Sequence, residues 1–177
     1  THVMQRSLEI ELIQWKNRED HLPLLLRGAR QVGKSYLVEA FGKAHFENVI
    51  TIDFELWPHI KKCFENREPQ VIIEKLEFYV HEKIQEGKTL LFFDEIQECP
   101  DAFASLRYFR ERMPKLHVIA AGSFMEFMLN DEKYSFPVGR VEFLYLRPLS
   151  FHEYLYNHAP LLAEKLKQAT LDAPLPL

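Results

Sequence analysis

A glycine-framed turn between an apolar segment and a helical segment is the feature that most restricts how this chain can fold. The stretch GARQVGKS at residues 28–35 has the spacing G-x-x-x-x-G-K-S. The run LPLLLRG before it is short, apolar and ends in glycine, which is typical of a buried strand. The segment KSYLVEAFGKA after it has helical periodicity. The two glycines of GARQVGKS allow a sharp bend without a Cβ at the inner surface. The sequence therefore predicts a strand, a tight turn and a helix.

Strands and helices alternate along the rest of the chain. The segments NVITIDFE, KTLLFFDE, LHVIAAGS and RVEFLYL are predicted strands, and QRSLEIELIQWK, DAFASLRYFRERM and SFHEYLYNH are predicted helices. A further helix is predicted over 70–86, beginning at Pro69 and stopping at Gly87, and Asp101 is predicted to cap the helix after it. This alternation predicts a parallel sheet covered on both faces. Ligands bind at the carboxyl ends of the strands in such sheets.

The glycine turn has the composition of a phosphate-binding loop. Its amide N–H groups would point at an anion, and the dipole of the following helix would favour negative charge there. Lys34 would place its ammonium between the β- and γ-phosphates, and the Ser35 hydroxyl would bind Mg²⁺. The simpler alternative is a strand-to-helix turn with a solvated lysine. We predict that the nucleotide is bound by Gly28, Ala29, Arg30, Gln31, Val32, Gly33, Lys34, Ser35 and Tyr36.

The acidic end of LLFFDE, residues 90–95, is the second candidate element. A carboxylate at the end of a buried strand is costly unless it has a partner, and the Mg²⁺ of an ATP complex is such a partner. Asp94 is predicted to hold that ion, mostly through water. Glu95 is predicted to orient and deprotonate the attacking water. The alternative is a pair of acids that caps a strand at the surface. No [NT]KxD segment that reads guanine is present, which favours ATP over GTP.

Four further polar residues are weaker candidates. Ser123, at the end of LHVIAAGS, is predicted to contact the γ-phosphate or the attacking water, or to cap the next helix. Arg140, in PVGRVEF, is predicted to stabilise charge on the transferring phosphoryl group, with an ordinary surface or paired arginine as the alternative. Asp53 and Glu55 alternate on the second predicted strand. They are interpreted as a solvent-facing pair at the strand end or as groups that approach Mg²⁺.

Composition limits the partners that such a chain can have. Hydrophobic residues make up 47%, which is enough for a core, and Phe143, Tyr145, Phe151 and Tyr154 are predicted to contribute to it. The net charge of −4 disfavours a surface made for nucleic acid. No apolar run approaches the roughly 18 residues that span a bilayer, and no signal peptide is visible. We therefore expect a cytoplasmic protein with two free cysteines and no membrane contact.

Taken together, these motifs resemble the AAA+-type predicted ATPases of bacteria and archaea. The resemblance rests on LLLRGARQVGKSYLVEAFG, LLFFDEIQECP, VIAAGSFMEFML and SFPVGRVEFLYLRPLSFHEYL, roughly residues 5–157. Its most distinctive part is the pattern GRxxxLxLxPLSFxEY. The resemblance implies an α/β, three-layer P-loop NTPase fold with a five-stranded parallel sheet in the order 5-1-4-3-2. It also implies Mg²⁺-dependent ATP hydrolysis, and it favours Ser123 as a sensor and Arg140 as a functional arginine.

The resemblance also gives the expected domain organisation. Residues 1–20 form an N-terminal helix, of which 1–3 are native sequence or the remnant of a tag. Residues 21–157 form the ATPase domain, and 158–177 a linker or the truncated start of a further domain. In this family a C-terminal domain of unknown function usually follows, so the module is expected to drive or regulate an attached domain or an unknown protein partner. Three other functions stay open: an ATP-dependent switch with little hydrolysis, a small-molecule kinase and, by fold analogy only, a nucleic-acid motor, which the acidic balance disfavours.

Overall fold

A five-stranded parallel sheet is the centre of the computed structural model, which describes residues 2–28, 34–123, 128–130, 139–146, 159–162, 164–165 and 168. Its strand order is β2-β3-β4-β1-β5, and all four neighbouring pairs are parallel. This is the predicted order 5-1-4-3-2 seen from the opposite edge, so the predicted fold class is confirmed. The strands are β1 (Leu24–Gly28), β2 (Asn48–Asp53), β3 (Thr89–Asp94), β4 (His117–Ala121) and β5 (Glu142–Leu146).

Helices cover both faces of this sheet. Because successive side chains of a strand point to opposite faces, Phe92 and Phe93 of β3 enter two different hydrophobic clusters. The Phe92 cluster includes residues of α1 and α2, and the Phe93 cluster includes residues of α3, α4 and the 3₁₀ helices. The predicted last helix, SFHEYLYNH, lies outside the described residues. The helices are α1 (His2–Asn17), α2 (Lys34–His45), a 3₁₀ helix (Pro58–Phe64), α3 (Pro69–Val80), a second 3₁₀ helix (Ile96–Glu98) and α4 (Pro100–Arg112).

The third helix is shorter than predicted. It begins at Pro69 as expected but ends at Val80 rather than at residue 86. His81 takes a left-handed conformation (φ 57°, ψ 33°), and its N–H donates to the Glu77 carbonyl. The Glu77 carboxylate then accepts the N–H of Ile84, whose side chain is buried. The helix therefore ends early because the turn after it places Ile84 in the core.

The predicted cap of the fourth helix is also wrong. The helix begins at Pro100, and the cap position is Cys99 rather than Asp101. Proline is favoured at the first helical position because an N–H there has no acceptor within the helix, so its absence costs nothing. Asp101 lies in the first turn instead, where it accepts a hydrogen bond from Arg67 at 3.0 Å.

A cluster of rings anchors the C-terminal end of α1 to the amino edge of the sheet. The rings of His21 and His117 stack with centroids 3.9 Å apart, and Trp15 packs edge-on against both. The ring of His117 bonds the carbonyl of Lys16 through Nε2. Burial, with the nearby His21, lowers the pKa of His117 to about 4. His117 is therefore neutral near pH 7 and acts here as a packing and hydrogen-bonding group.

Two aromatic residues predicted to be in the core are on the surface. Phe143 is 42% exposed and Tyr145 is 59% exposed. Both lie on the edge strand β5, on the face that also carries Leu25 and Arg27 of β1. The Arg27 guanidinium lies over the Phe143 ring, 5.3 Å from its centroid. The other two predicted core aromatics, at 151 and 154, lie outside the described residues.

The described helices include none that is long and apolar enough to cross a membrane.

We expect Gly42→Ala to destabilise the protein because α2 packs closely on the sheet at Gly42. A Cβ there would lie 2.7 Å from Cβ of Val49. Overpacking a core costs about 1–3 kcal/mol, which exceeds the about 0.5–1 kcal/mol that alanine gains over glycine in a helix. Thermal or denaturant unfolding measures the change, with the exposed Lys43→Ala on the same helix as control. Val49→Ala should recover part of the loss, and a stabilised Gly42→Ala variant would contradict this packing.

Candidate functional site

The carboxyl edge of the sheet brings together several of the described residues that were predicted to bind nucleotide, metal or the attacking water. Gly28 ends β1 and Asp94 ends β3, while Lys34 and Ser35 open α2. Ser123 follows the end of β4, the strand that lies between β3 and β1. Two motifs that are far apart in the sequence therefore meet at one edge, where parallel sheets bind ligands.

The Lys34 side chain connects the ends of β1 and β4. Its Nζ donates to the carbonyl of Gly28 at 3.2 Å and to that of Gly122 at 3.5 Å. Burial lowers the pKa of Lys34 below its ordinary value, and the charges of Glu95 and Asp94 partly oppose this shift. The ammonium group is thus held over the strand ends close to two carboxylates.

Only part of the predicted phosphate-binding loop is described. Ala29, Arg30, Gln31, Val32 and Gly33 lie outside the described residues. Gly28, at the entry to the loop, leaves no room for a side chain, because a Cβ there would lie 2.7 Å from the Leu146 carbonyl oxygen. Tyr36, also predicted to bind nucleotide, is half-buried and packs against the cluster between α1, α2 and the sheet.

Ser35 and Asp94 are in direct contact. The Ser35 hydroxyl donates to Oδ2 of Asp94, and the N–H of Glu95 donates to Oδ1 at 2.9 Å. Asp94 is only 7% exposed. Its pKa is raised, mainly by burial, although both hydrogen bonds act to lower it. A buried carboxylate beside a serine hydroxyl is an environment that a bound cation would stabilise.

The donor set fits Mg²⁺ bound together with a nucleotide. Hard oxygen ligands suit this ion, which usually takes one or two carboxylates, several waters and substrate phosphates. Within the described part of the chain, no group of three or more His, Cys, Asp or Glu side chains is arranged to hold a metal ion. The Ser35–Asp94 pair therefore matches a shared metal–phosphate site better than an all-protein cage.

Glu95 is held in an uncommon backbone conformation. Its φ of 53° and ψ of 47° are left-handed, a region that non-glycine residues seldom occupy. The Ser123 hydroxyl lies 3.1 and 3.2 Å from the two Glu95 carboxylate oxygens. Nε2 of Gln97 donates to the same carboxylate. The side chain is therefore fixed at the strand end next to Asp94.

Gln97 is the residue at this site that was not predicted from the sequence. It lies in the short 3₁₀ helix directly after β3, between the buried Ile96 and the exposed Glu98. The only sequence signal is its place in LLFFDEIQECP, two residues after Glu95. Because that spacing also fits a turn facing solvent, the sequence alone does not connect Gln97 to Glu95.

Asp53 and Glu55 do not form the predicted strand-end pair. β2 ends at Asp53, which lies opposite Asp94 in the strand register. Glu55 is in the following turn, where its N–H and that of Leu56 donate to Oδ1 of Asp53 at 2.9 and 3.0 Å. Glu55 is not on a strand, so its side chain does not share a strand face with that of Asp53 as predicted. The Asp53 carboxylate instead stabilises the turn by accepting these two N–H groups.

Arg140 lies away from the Lys34, Ser35, Asp94 and Glu95 side chains of its own chain. It precedes β5, whose first residue pairs with Leu24 at the start of β1. The length of β1, about 13 Å at the usual rise per residue, separates that amino edge from Gly28. The Arg140 side chain donates from Nε to Glu111 at 3.1 Å, and Arg107 shares the same carboxylate.

Asp94→Asn should stabilise the nucleotide-free protein near pH 7. Because burial raises the pKa of Asp94, the folded chain binds this proton more tightly than the unfolded chain. The free energy of unfolding therefore falls as the pH rises between the two pKa values. Asparagine removes the buried charge and keeps one oxygen that accepts from Ser35, while the Glu95 N–H loses its acceptor. We expect that loss to cost less than the buried charge. We expect a higher Tm at pH 7 and a smaller difference below the ordinary pKa of aspartate.

Thermal unfolding at both pH values checks this expectation. The exposed Asp20→Asn is the matched control and should change Tm little at either pH. An Asp94→Asn variant that is less stable than the wild type at pH 7 would mean that the protein's own groups compensate the carboxylate well without a bound metal ion.

Comparison with known proteins identifies a family and a fold. A family model described as "AAA domain" matches residues 20–155. The Walker-type ATPase PABY2304 of Pyrococcus abyssi superposes with a TM-score of 0.49 and 21% identity, over 94% of this chain and 61% of that chain. Drosophila ORC bound to DNA gives a TM-score of 0.51 and 15% identity, over 83% of this chain and 46% of that chain.

A third solved structure, the Aeropyrum pernix ORC1 protein in complex with DNA, has a TM-score of 0.48 and 14% identity, over 94% of this chain and 55% of that chain. This chain thus spans 46% to 61% of the solved chains it is similar to. At 15% identity, the likeness to the Drosophila structure shows the fold alone. No protein with curated annotation matches significantly.

Proposed function

Because the chain belongs to the AAA domain family, whose model matches residues 20–155, we propose that it is an Mg²⁺-dependent ATPase module. The observation that carries the proposal is the meeting of Lys34, Ser35, Asp94 and Glu95 at the carboxyl edge of the sheet. A cationic group, a metal-ligand pair and a second carboxylate are the parts that hydrolysis of a nucleoside triphosphate requires.

In the proposed reaction each residue has one role. Lys34 neutralises charge on the β- and γ-phosphates. Ser35 and Asp94 hold Mg²⁺, which supplies further charge neutralisation when it is bound. Glu95 orients the attacking water and accepts its proton as the oxygen attacks the γ-phosphorus in line with the leaving group. Ser123, which donates to Glu95, links that carboxylate to the end of β4.

We propose that the remaining residues at 28–36 bind the phosphates through their backbone N–H groups. The glycine at 28 supports this, because the backbone there passes within contact distance of β5 and admits no side chain. The nucleotide state would drive or regulate an attached domain or a partner protein. The Drosophila structure extends well beyond the 46% of its chain that matches, so a chain with this fold can carry further domains.

A second candidate is a nucleotide-dependent switch with little hydrolysis of its own. The observation that favours it is the set of contacts that already engage Glu95, one from Ser123 and one from Gln97. A glutamate carboxylate that accepts from two donors is less available to the attacking water. The site could then bind ATP without hydrolysing it rapidly.

Lys34→Ala and Glu95→Gln separate these candidates. We expect Lys34→Ala to weaken Mg²⁺-ATP binding at least about 10-fold, since it removes a cation from the phosphates. Glu95→Gln should bind ATP normally and lower kcat about 10²- to 10⁴-fold, the range for loss of general-base catalysis. Calorimetric binding and phosphate release measure both, with Lys43→Ala and Glu98→Gln as exposed controls.

The outcomes are distinct. Binding without phosphate release by the wild type would favour the switch, and transfer of phosphate to an added acceptor rather than to water would favour a kinase. A wild-type chain that does not bind Mg²⁺-ATP would overturn the proposal.

We propose that Arg140 acts on the nucleotide of a neighbouring copy, because it lies at the amino edge of its own sheet. Mixing the variants Lys34→Ala and Arg140→Ala tests this. In the mixture, an Arg140→Ala copy keeps an intact nucleotide site and can receive Arg140 from a neighbouring Lys34→Ala copy. We expect each variant alone to be slow and the mixture to recover phosphate release. Arg107→Ala, which loses a contact to the same Glu111, is the control. An Arg140→Ala chain with wild-type turnover would leave Arg140 as a surface partner of Glu111.

A further inference from the structure

We propose that Gln97 is a positioning residue that fixes the Glu95 carboxylate, and that Gly122 is glycine because the Gln97 amide occupies the space of its side chain. This inference rests on the proposed ATPase function. It starts from the donation of Gln97 Nε2 to Oε2 of Glu95. Ser123 donates to the same carboxylate, so two donors from two different elements restrain it.

The turn that carries Gln97 is rigidly placed. It follows Glu95, whose carbonyl accepts the N–H of Glu98 at 3.0 Å, and the Ile96 carbonyl accepts the N–H of Cys99 at 3.0 Å. The side chains of Ile96 and Cys99 are buried in the core. Gln97 is therefore presented from a short helix that cannot rotate without disturbing buried groups on both sides of it.

Gly122 leaves room for the Gln97 amide, and the Glu95 carboxylate sets its orientation because only the amide nitrogen can donate to it. A Cβ at position 122 would lie 2.3 Å from Oε1 of Gln97, far closer than two such atoms approach. The absence of a side chain at 122 lets the amide oxygen pack against the end of β4. The amide nitrogen then faces the Glu95 carboxylate, to which it donates.

The same glycine also connects Gln97 to the phosphate-binding lysine. The Gly122 carbonyl accepts from Lys34 Nζ, while its Cα side is covered by Gln97. Lys34, Gly122, Gln97 and Glu95 thus form a continuous series of contacts from the cation at the phosphates to the carboxylate that activates water. The contact that carries this inference is the one with Glu95, so the effect of Gln97 on the reaction would act through that carboxylate.

Gln97→Met tests the assignment, because methionine keeps the length of the side chain and removes the donor. We expect kcat to fall about 10- to 100-fold, the range for loss of one hydrogen bond to a charged group. The dissociation constant for Mg²⁺-ATP and Tm should change little. In the Glu95→Gln background the same substitution should have no further effect on residual turnover, because the group it positions is gone. Gln70→Met, on the exposed surface of α3, is the control.

Gly122→Ala and Gln97→Ala form a second test. Gly122→Ala alone should lower kcat as Gln97→Met does, because its methyl group displaces the amide. In the Gln97→Ala background it should cost little, so the two effects should be strongly non-additive. Additive losses would show that Gly122 acts independently of Gln97 and would overturn the second half of the proposal.

The outcomes separate this inference from the proposed function. A wild type without phosphate release overturns both. If the wild type hydrolyses ATP and Glu95→Gln does not, an unchanged kcat in Gln97→Met overturns the role of Gln97 alone. A raised kcat would show that Gln97 restrains Glu95 rather than positions it. A loss of ATP affinity or of Tm that accounts for the change in rate would show a purely structural role.

Discussion

The burial of one carboxylate, Asp94, is the constraint on which the arrangement of the site depends. β3 is buried over its whole length, and the strand ends in a charge that is 7% exposed. Ionised carboxylates are unfavourable in such surroundings unless other groups compensate them. The Ser35 hydroxyl, the N–H of Glu95 and the nearby ammonium of Lys34 supply part of this compensation, and the pKa of Asp94 remains raised. The position of α2 relative to β3 is therefore fixed by electrostatics as well as by packing.

The same compensation gives each neighbour of Asp94 a second partner. Lys34 contacts the ends of β1 and β4, and Glu95 contacts Ser123 after β4. β4 lies between β1 and β3 in the sheet, so it is the strand whose end meets both the cationic and the anionic half of the site. A short Gly-Ser sequence serves this purpose, since Gly122 offers a carbonyl and room for the Gln97 amide, and Ser123 offers a hydroxyl.

Much of this could be predicted from the sequence, because the information was local. Alternating apolar and helical segments predicted the strands, and the resemblance to a known family supplied their order. Lys34, Ser35 and Asp94 were identified by residue type and by following or ending a predicted strand. The roles assigned to them are still proposals, but their proximity follows from parallel strands that end at one edge.

What could not be predicted depends on contacts between distant residues. The early end of α3 follows from the burial of Ile84, and the exposure of Phe143 and Tyr145 follows from the place of β5 at the edge of the sheet. The contact of Gln97 with Glu95 could not be predicted either, because it depends on the space beside Gly122. Arg140 was predicted from its place after a glycine and before a strand, but which end of that strand faces the nucleotide is a property of the whole sheet.

The close packing of Gly28 against Leu146 has a mechanical consequence. These two residues end adjacent parallel strands, and a single added carbon at Gly28 would strike the Leu146 carbonyl. The carbonyl of Leu146, the last residue of β5, therefore lies against Gly28, the first residue of the predicted loop at 28–35. Because there is no spare room at this contact, a displacement of the end of β5 toward β1 would press directly on the backbone of Gly28. The ends of these two strands are therefore expected to move together.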